Sequence, residues 1–488
     1  MYVSTRGGEA ISASQAILRG ISENGGLYVP VSLPVWSREQ ILALAEIPYA
    51  DRAARVLADV LDDFDEEELL GYTRKAYASF SHPAVAPMRP LKGNIEVLEL
   101  FHGPTLAFKD MALQMLPYLL TASARKQGET REIAILTATS GDTGKAALEG
   151  FKDVNGTSCT VFYPLGGVSH VQERQMLTSE GANVHVIGVT GNFDDAQTGV
   201  KQLFTSPEFI AQMNAKGRTL SSANSINLGR LAPQVAYYMS AAAEMMKKGV
   251  ERFNVCVPTG NFGNILAAWY ARKMGAPIEK LVCASNCNDV LTEFILTGRY
   301  NAARQFHLTI SPSMDILVSS NLERLLFELC GCDPVKLSGM MKQLKEEKEY
   351  TMDADMLAVL QQTFVGYSAD DTATKATIRA AYDSDAYVMD THTAVAMYAV
   401  GQYRAQTGDD LPMLLVSTAS PFKFAPAVTD ALGLEAKENA FDSVRQLAAF
   451  GSLQIPASLG KLETAPTLHT LTCDRGAMGE AVMKAYEA

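Results

Sequence analysis

The stretch FHGPTLAFKD, residues 101–110, joins two segments with different sequence patterns. Residues 95–100 (IEVLEL) before it are apolar and strand-forming, whereas residues 111–120 after it carry apolar side chains at helical spacing. Lys109 therefore lies in an apolar junction where a strand gives way to a helix. Lysines are almost never fully buried unless they are paired. Lys109 is either a stray surface charge or a reactive amine.

Strand and helix patterns alternate on the C-terminal side of this junction. The predicted strands are EIAILTA (132–138), SCTVFYP (158–164), ANVHVIGV (182–189), FNVCVPT (253–259), KLVCASN (280–286) and PMLLVST (412–418). Apolar strands that alternate with helices predict parallel sheets covered on both faces, and there are enough units for two. The predicted fold class is α/β, with two doubly wound, mostly parallel sheet domains and a helical N-terminal extension.

The length of 488 residues favours two or three folding units, and changes in sequence pattern divide the chain into four segments. Residues 1–90 are predicted to form a helical subdomain, in which Ser37 and Gln40 have the spacing of a capping box. Residues 91–230 form an α/β domain with Lys109, and residues 231–435 form a second one. Residues 436–488 form a tail without a recognisable motif.

Composition and charge exclude several classes of function. The 42 basic and 54 acidic residues give a net charge of −12, which argues against a surface for nucleic acid or an anionic membrane. The chain contains no apolar run of about 18 residues, so we expect no transmembrane helix. The N-terminal residues lack a secretory-signal pattern, and most of the seven cysteines lie in apolar runs, which favours reduced thiols and a cytoplasmic location. Cys and His lack zinc-ligand spacing, so we expect no metal.

Two loops at predicted strand ends have the composition of anion sites, which lie outside the carboxyl ends of strands in such folds. Residues 137–147 (TATSGDTGKAA) bring hydroxyls and glycines to a helix N-terminus, and form an anion site or a helix capped by Asp142 or Thr143. Residues 257–268 (VPTGNFGNILAA) match neither a Walker loop nor GxGxxG, yet glycines at a strand–helix junction favour a phosphate loop over a simple turn. The residues of this loop are Gly260, Asn261, Phe262, Gly263 and Asn264.

Two further loops are ambiguous. In residues 222–230 (SANSINLGR), Arg230 suits bidentate phosphate recognition, but the stretch alone favours an Asx-rich loop with a solvent-facing arginine. In residues 416–424 (VSTASPFKF), the Ser417 and Thr418 hydroxyls can cap the next helix or meet a ring nitrogen, and the sequence alone favours the cap.

A single lysine in an apolar junction, together with a separate glycine-rich phosphate loop, meets the requirements of pyridoxal 5'-phosphate. The lysine amine forms a Schiff base, and a desolvated site lowers its pKa so that the free amine is available. The cofactor then acts as an electron sink.

Five motifs add a resemblance to this interpretation. They are FHGPTLAFKDMALQ, TATSGDTGKAA, NSINLGR, PTGNFGN and DTHTAVAMYA. Together they resemble the threonine synthases over about residues 1–430, and SGDTG resembles the longer-chain branch. The resemblance implies a fold type II pyridoxal phosphate enzyme, similar to the tryptophan synthase β chain. Such a lyase acts in threonine biosynthesis and converts O-phospho-L-homoserine and water to L-threonine and phosphate.

The resemblance also implies roles for individual residues. Lys109 forms the internal aldimine and shuttles protons, while residues 260–264 hold the cofactor phosphate. The residues implied around the substrate carboxylate and the cofactor ring hydroxyl are Thr139, Ser140, Asp142 and Thr143. Those implied at the substrate phosphate are Asn224, Ser225 and Arg230, with Lys145 and Arg6 as the next candidate cations. Thr418, or else Ser417, faces the pyridine nitrogen.

Three questions stay open at this point. His392 has either a family-specific role or that of a satisfied loop histidine, and either Asp142 or the ring oxygen carries a proton. The alternatives to a synthase are a Ser/Thr dehydratase or sulfhydrylase of the same fold, and a cofactor-binding regulator without catalysis. Arg230 and the N-terminal extension favour the synthase. The small-molecule substrate is the only partner that we expect, and the chain is a monomer or a dimer.

Overall fold

The computed structural model describes residues 1–139 and 141–487. Within these ranges the strands β1 to β15 span Tyr2–Ser4, Tyr28–Pro30, Met88–Leu91, Ile95–Glu99, Glu132–Ala138, Thr157–Pro164, Val184–Thr190, Arg218–Ser221, Phe253–Pro258, Ile278–Ser285, Arg299–Asn301, Glu349–Thr351, Phe364–Ser368, Met413–Ser417 and Leu471–Asp474. The helices α1 to α22 span Ala13–Arg19, Arg38–Ala43, Tyr49–Val60, Glu66–Ala76, Asp110–Leu113, Leu116–Lys126, Asp142–Phe151, His170–Leu177, Phe193–Thr205, Pro207–Ala215, Leu228–Lys247, Gly263–Lys273, Val290–Thr297, Leu322–Leu329, Pro334–Glu347, Ala354–Thr363, Asp371–Asp385, Thr391–Thr407, Ala425–Ala431, Ala440–Gly451, Ala457–Gly460 and Met478–Ala485. Short 3-10 helices span Leu44–Glu46, Pro312–Met314, Pro421–Phe424 and Arg475–Ala477.

Two large sheets organise the chain, which confirms the predicted fold class. The larger sheet has the strand order β13-β10-β9-β14-β4-β3, and its neighbours are parallel except for β3 and β4. The smaller sheet has the order β15-β7-β6-β5-β8 and is parallel throughout. Every residue of β6 and β9 is buried, as expected for parallel strands covered on both faces.

The N-terminal segment is helical in large part, but the prediction missed its strands. The predicted capping box is present at the start of α2, where Ser37 and Gln40 each accept a backbone hydrogen bond from the other. Strands β1 and β2 pair antiparallel within the segment that was predicted to be helical. Strands of three residues are too short to produce a periodic signal in the sequence.

Sheet membership does not follow the predicted segment boundaries at residues 90, 230 and 435. Strand β4 and the Lys109 junction precede the smaller sheet in the chain, yet β4 pairs with β14 of the larger sheet. Strand β15, from the predicted tail, pairs with β7 and completes the smaller sheet. Strand pairing is decided by tertiary contacts between distant segments, which local sequence patterns do not record.

Helix α11 lies at the centre of the molecule, and 18 of its 20 residues are buried. Helices α1, α2, α3 and α12 pack against it, so the N-terminal segment covers the α/β core. No helix in the described part of the chain is both long and apolar enough to cross a membrane.

Candidate active site

The carboxyl ends of neighbouring strands bring the predicted loops together. In the larger sheet, Ser417 at the end of β14 pairs with Glu99 at the end of β4, and β9 lies on the other side of β14. In the smaller sheet, β5 and β8 are parallel neighbours. The loops that follow these five strands therefore lie at carboxyl sheet edges, where ligands bind in doubly wound folds.

Main-chain pairing fixes the Lys109 junction against the end of β14. The Phe108 N–H donates to the Thr418 carbonyl at 2.8 Å, and the Ser420 N–H donates to the Leu106 carbonyl at 3.0 Å. Leu106 has a left-handed backbone conformation (φ 63°), which turns the chain toward α5. Lys109 is thus held beside the residues that follow β14.

Lys109 is a largely buried, paired amine. Its side chain is 13% exposed, and its Nζ lies 3.2 Å from Asp142 Oδ2 and 5.1 Å from the centre of the Phe108 ring. Burial lowers the pKa of Lys109; Asp142 opposes the shift, whereas Lys423 and Arg230 add to it. The arrangement does not fit a stray surface charge, and burial makes this amine easier to deprotonate than that of an exposed lysine.

Lys423 is a site residue that the sequence analysis did not single out. Its side chain is fully buried, and its Nζ lies 2.7 Å from Asp142 Oδ1 and donates to the Thr105 carbonyl at 2.9 Å. Gln172 Nε2 donates to the same Asp142 oxygen at 3.0 Å. Lys423 stands in an apolar run, as Lys109 does, so the same signal could have found it.

The Asp142 side chain is a carboxylate in this structure. Burial by itself would raise the pKa of Asp142, but the ammonium groups of Lys423 and Lys109 and the Gln172 amide outweigh burial and hold the pKa well below its usual range. Of the two protonation patterns that the sequence left open, the free protein therefore favours an ionised Asp142.

Thr139 caps the start of α7, so the prediction of Asp142 or Thr143 as the cap is wrong. The Thr139 hydroxyl accepts from the N–H groups of Gly141 and Gly144, each at 2.9 Å. Gly141 has φ +139°, and a Cβ there would lie 2.4 Å from the Gln172 side chain, so this position requires glycine. Thr143 is half-buried at the same helix end. The predicted site residue Ser140 lies outside the described residues.

The loop of residues 260–264 ends in an unpartnered amide at the start of α12. The hydroxyls of Tyr237 and Tyr238 donate to Asn264 Oδ1 at 2.5 and 2.6 Å. Asn264 Nδ2 is buried and has no hydrogen-bond partner among the described residues. A buried donor without a partner at a helix N-terminus fits an anionic ligand. Neither tyrosine was expected from the sequence.

The other four residues of this loop have defined surroundings. A Cβ on Gly260 would lie 2.8 Å from the Ser313 carbonyl, so the residue 311–319 segment packs closely on the loop. Phe262 has φ 63° and a buried ring. Asn261 accepts from Asn321 Nδ2 at 2.9 Å through its carbonyl, while Gly263 begins α12.

Arg230 lies in the first turn of α11 and is 3% exposed, so the interpretation as a solvent-facing loop arginine is wrong. Its Nη1 donates to the Ala223 carbonyl at 2.6 Å, whereas its buried Nε has no partner among the described residues. Burial lowers the pKa of Arg230 to about 10. Within residues 1–139 and 141–487, no carboxylate forms an ion pair with it.

The two half-buried polar residues before Arg230 have protein partners. Asn224 Oδ1 accepts from the Thr137 hydroxyl at 3.3 Å, and the Ser225 hydroxyl accepts from Asn321 Nδ2 at 3.3 Å. Asn224 thus contacts β5 of the smaller sheet, and Ser225 contacts the residue that precedes α14. Their substrate-binding role stays a prediction.

The alternative cations for a substrate phosphate are already paired. Lys145 lies 2.9 Å from Glu149 and 3.2 Å from the Ser179 hydroxyl. Arg6 forms two hydrogen bonds to Glu323, at 2.9 and 3.1 Å. Because Lys145 and Arg6 already have carboxylate partners, Arg230 is the better candidate to bind a substrate phosphate.

His392, in the first turn of α18, contacts the residue 311–319 segment that packs on the phosphate loop. Its Nδ1 lies 2.9 Å from Asp390 Oδ1, and its Nε2 accepts from the Ser313 N–H at 3.1 Å. Because Nε2 is the acceptor, the ring proton lies on Nδ1 and is donated to Asp390. His392 therefore positions the residue 311–319 segment, which favours the interpretation as a satisfied histidine.

Ser417 and Thr418 differ in their surroundings. The Ser417 hydroxyl lies 3.0 Å from the Thr393 hydroxyl, which in turn donates to Asp390. Thr418 is 7% exposed, compared with 1% for Ser417. Thr418 thus remains the better candidate for a ligand's ring nitrogen, and this role stays a prediction.

The described residues fit pyridoxal phosphate. The amine of Lys109 can bind an aldehyde, and the unpartnered Asn264 amide at the α12 N-terminus can bind a phosphate. The Asp142 carboxylate, at the start of α7, lies 3.2 Å from the Lys109 amine.

Sequence models of three families match the chain. "Threonine synthase N terminus" matches residues 1–77, "Pyridoxal-phosphate dependent enzyme" matches residues 89–419, and "Threonine synthase, C-terminal" matches residues 393–471. The third match covers residues 436–471 of the segment that was predicted to be a tail without a motif.

Individual proteins show the same likeness. The chain is 40% identical to a threonine synthase of Pseudomonas aeruginosa over 88% of this chain and 90% of that protein. It is 39% identical to human threonine synthase-like 1 over 90% of this chain and 60% of that longer protein. The structure of pyridoxal-phosphate-bound threonine synthase from Brucella melitensis matches with a TM-score of 0.88 and 37% identity, over 100% of this chain and 99% of that one. The yeast threonine synthase structure matches with a TM-score of 0.89 and 32% identity, over 100% and 98%. The chain therefore belongs to the threonine synthase family of pyridoxal-phosphate-dependent enzymes.

Proposed function

We propose that the chain is a threonine synthase that converts O-phospho-L-homoserine and water to L-threonine and phosphate. The observation that carries this proposal is Arg230, a buried cation without an ion-pair partner among the described residues. A buried charge is costly unless it is paired, so Arg230 suits a site that receives an anion from outside the protein. The phosphate of the substrate is such an anion, and Arg can hold it with two parallel hydrogen bonds.

On the cofactor side, we propose that Lys109 binds the aldehyde of pyridoxal phosphate and that residues 260–264 bind its phosphate. Asn264 Nδ2 and the free N–H groups at the start of α12 support the phosphate site. Thr418, with Ser417 as the alternative, meets the pyridine nitrogen, and Asp142 faces the ring hydroxyl. When bound, the cofactor supplies an electron sink for charge at the substrate Cα.

On the substrate side, Thr139, Ser140 and Thr143 hold the carboxylate, while Asn224, Ser225 and Arg230 hold the phosphate. The Lys109 amine removes and returns protons at the substrate Cα and Cβ, and its burial supports this because desolvation disfavours the ammonium form and so favours the neutral amine that can accept a proton. Arg230 stabilises the charge on the phosphate oxygens as the phosphate leaves Cγ. The closely packed loops exclude bulk water from these transfers.

The decisive experiment is release of inorganic phosphate from O-phospho-L-homoserine by the purified, cofactor-loaded protein, with threonine identified as the product. A dehydratase would instead form an oxo acid and ammonia from threonine, a sulfhydrylase would require a sulfide donor, and a regulator without catalysis would form no product. Release of phosphate without threonine would refute the proposal as well.

A cytoplasmic location is the final part of the proposal. It is supported by the seven free cysteines, four of which are buried. Free thiols persist in a reducing compartment.

A further inference from the structure

Asp142 lies between two lysines that come from different parts of the larger sheet. Lys109 follows β4 and approaches Asp142 Oδ2 at 3.2 Å, whereas Lys423 follows β14 and approaches Oδ1 at 2.7 Å. The two lysines differ in exposure: the Lys109 side chain is 13% exposed, whereas the Lys423 side chain is fully buried. Only one of them therefore lies where a ligand can reach it.

The remaining contacts of Lys423 are to fixed protein groups. Its Nζ donates to the Thr105 carbonyl at 2.9 Å, and Thr105 in turn donates to the buried carboxyl of Asp110 through its N–H and its hydroxyl. Lys423 is thus held in place by the same turn that presents Lys109. A fully buried ammonium group needs an anion, and Asp142 is the carboxylate within ion-pair distance in the described part of the chain.

We propose that Lys423 is a positioning residue that holds one oxygen of Asp142 and thereby leaves Lys109 free to lose its proton and bind the cofactor. The inference rests on the proposed role of Lys109. Without Lys423, the Asp142 charge would be balanced by Lys109 alone, and the Lys109 ammonium would be held as its counterion. With Lys423 present, Asp142 keeps a permanent cationic partner, including after Lys109 has been neutralised by Schiff-base formation.

The charges that face Lys109 come from three elements. They are Asp142 at the start of α7, Lys423 in the 3-10 helix Pro421–Phe424, and Arg230 in α11. Of these, Lys423 and Arg230 disfavour the ammonium form of Lys109, while Asp142 favours it. Replacement of Lys423 by methionine removes a positive charge that repels the Lys109 ammonium group. It also leaves Lys109 as the one lysine paired with Asp142 among the described residues. Both effects raise the pH at which Lys109 loses its proton.

The test measures how fast cofactor-free protein captures pyridoxal phosphate over a series of pH values. Samples are reduced with borohydride, and the modified peptide is identified by mass. We expect Lys423→Met to move the midpoint of Lys109 capture up by about 1 pH unit or more, which is about a tenfold slower capture at neutral pH. Lys423→Arg keeps the charge and should stay near the parent midpoint. Lys126→Met is the control, because Lys126 lies on α6 and forms its ion pair with Glu68 of α4, at 3.0 Å, and not with Asp142.

An unchanged midpoint in Lys423→Met would overturn the inference. If that variant does not fold, Lys423→Gln is measured instead, because it removes the charge but keeps a donor for the Thr105 carbonyl. Its midpoint should also rise, and a midpoint equal to that of the parent would overturn the inference too. Capture at another lysine in the parent protein would instead refute the proposed role of Lys109.

Discussion

Replacement of Arg230 by leucine should have opposite effects on the stability of the free protein and on its turnover. Arg230 is 3% exposed, and burial lowers its pKa from 12.5 to about 10. A shift of that size corresponds to about 3 kcal/mol of disfavoured charge in the free protein. Leucine removes this cost and loses one charged hydrogen bond, to the Ala223 carbonyl, that contributes about 1.5–3 kcal/mol, so we expect the free energy of unfolding of the cofactor-free protein to stay the same or rise slightly.

Turnover should fall in the same variant. A hydrogen bond to a charged group contributes about 1.5–3 kcal/mol, so loss of one such bond to the substrate phosphate lowers kcat/KM by about 10- to 100-fold. Arg230→Lys keeps the charge but loses the planar fork, and should lie between the parent and Arg230→Leu. Cofactor loading should be intact in both variants, because the proposed cofactor phosphate site is at Asn264.

Arg324 offers a matched control for stability. It is fully buried, and burial lowers its pKa to about 10 as well, but it donates to the carbonyls of Tyr28 and Ile226 and to the Asn321 side chain. Arg324→Leu would leave these acceptors unsatisfied and should destabilise the protein. The two leucine variants should therefore differ in the sign of their effect on stability.

The measurements are urea unfolding of cofactor-free protein, phosphate release from O-phospho-L-homoserine, and cofactor content after borohydride reduction. The reasoning fails if Arg230→Leu is destabilised like Arg324→Leu while its turnover is unchanged, since Arg230 would then be a structural residue. Loss of cofactor in both Arg230 variants would instead assign this arginine to the cofactor phosphate.

Three further outcomes are expected. Lys109→Ala should give no borohydride-stable adduct with pyridoxal phosphate, and recovery of a labelled peptide with any other lysine would contradict this assignment. Thr418→Asp should change the absorbance spectrum of the bound cofactor and the product ratio, because a carboxylate would stabilise the protonated form of the ring nitrogen, which a hydroxyl does not. A parent-like spectrum and ratio would make Thr418 a simple cap. Burial raises the pKa of Asp110 from 3.8 to about 6, so this carboxyl stabilises the fold most below pH 3.8, and about 3 kcal/mol is lost as pH rises through 6. Asp110→Asn should flatten that part of the pH dependence of urea unfolding, and an unchanged slope would exclude the effect.

The fold class could be predicted because its signals are local. The predicted strand EIAILTA coincides with β5, and α7 starts at Asp142, within the stretch 137–147 where a helix N-terminus was predicted. Assignment of strands to sheets could not be predicted in this way. Strands β4 and β5 are both apolar and are separated by helices, yet they belong to different sheets. Their partners are distant in sequence, and no local pattern identifies them.

The site was predictable where a residue is unusual for its surroundings. Lys109 and the glycine–asparagine loop were found because a lysine and paired glycines stand at apolar strand ends. The burial of Arg230 was not predictable, since residues 222–227 before it are mostly short and polar, while its environment is set by the packing of α11. Tyr237 and Tyr238 were missed for a related reason, because tyrosines in an apolar helix usually fill a core.

The pairing of β15 with β7 makes folding of the smaller sheet depend on the larger one. Strands β9, β10, β13 and β14 of the larger sheet all lie between β7 and β15 in the chain. During folding, the smaller sheet therefore has an open edge at β7 until a distant segment arrives, and closure over so long a loop is slow. An open strand edge is a template for pairing with other chains. Substitutions that weaken β15 should thus reduce the yield of native protein through aggregation, even though β15 lies outside the residues proposed to bind substrate or cofactor.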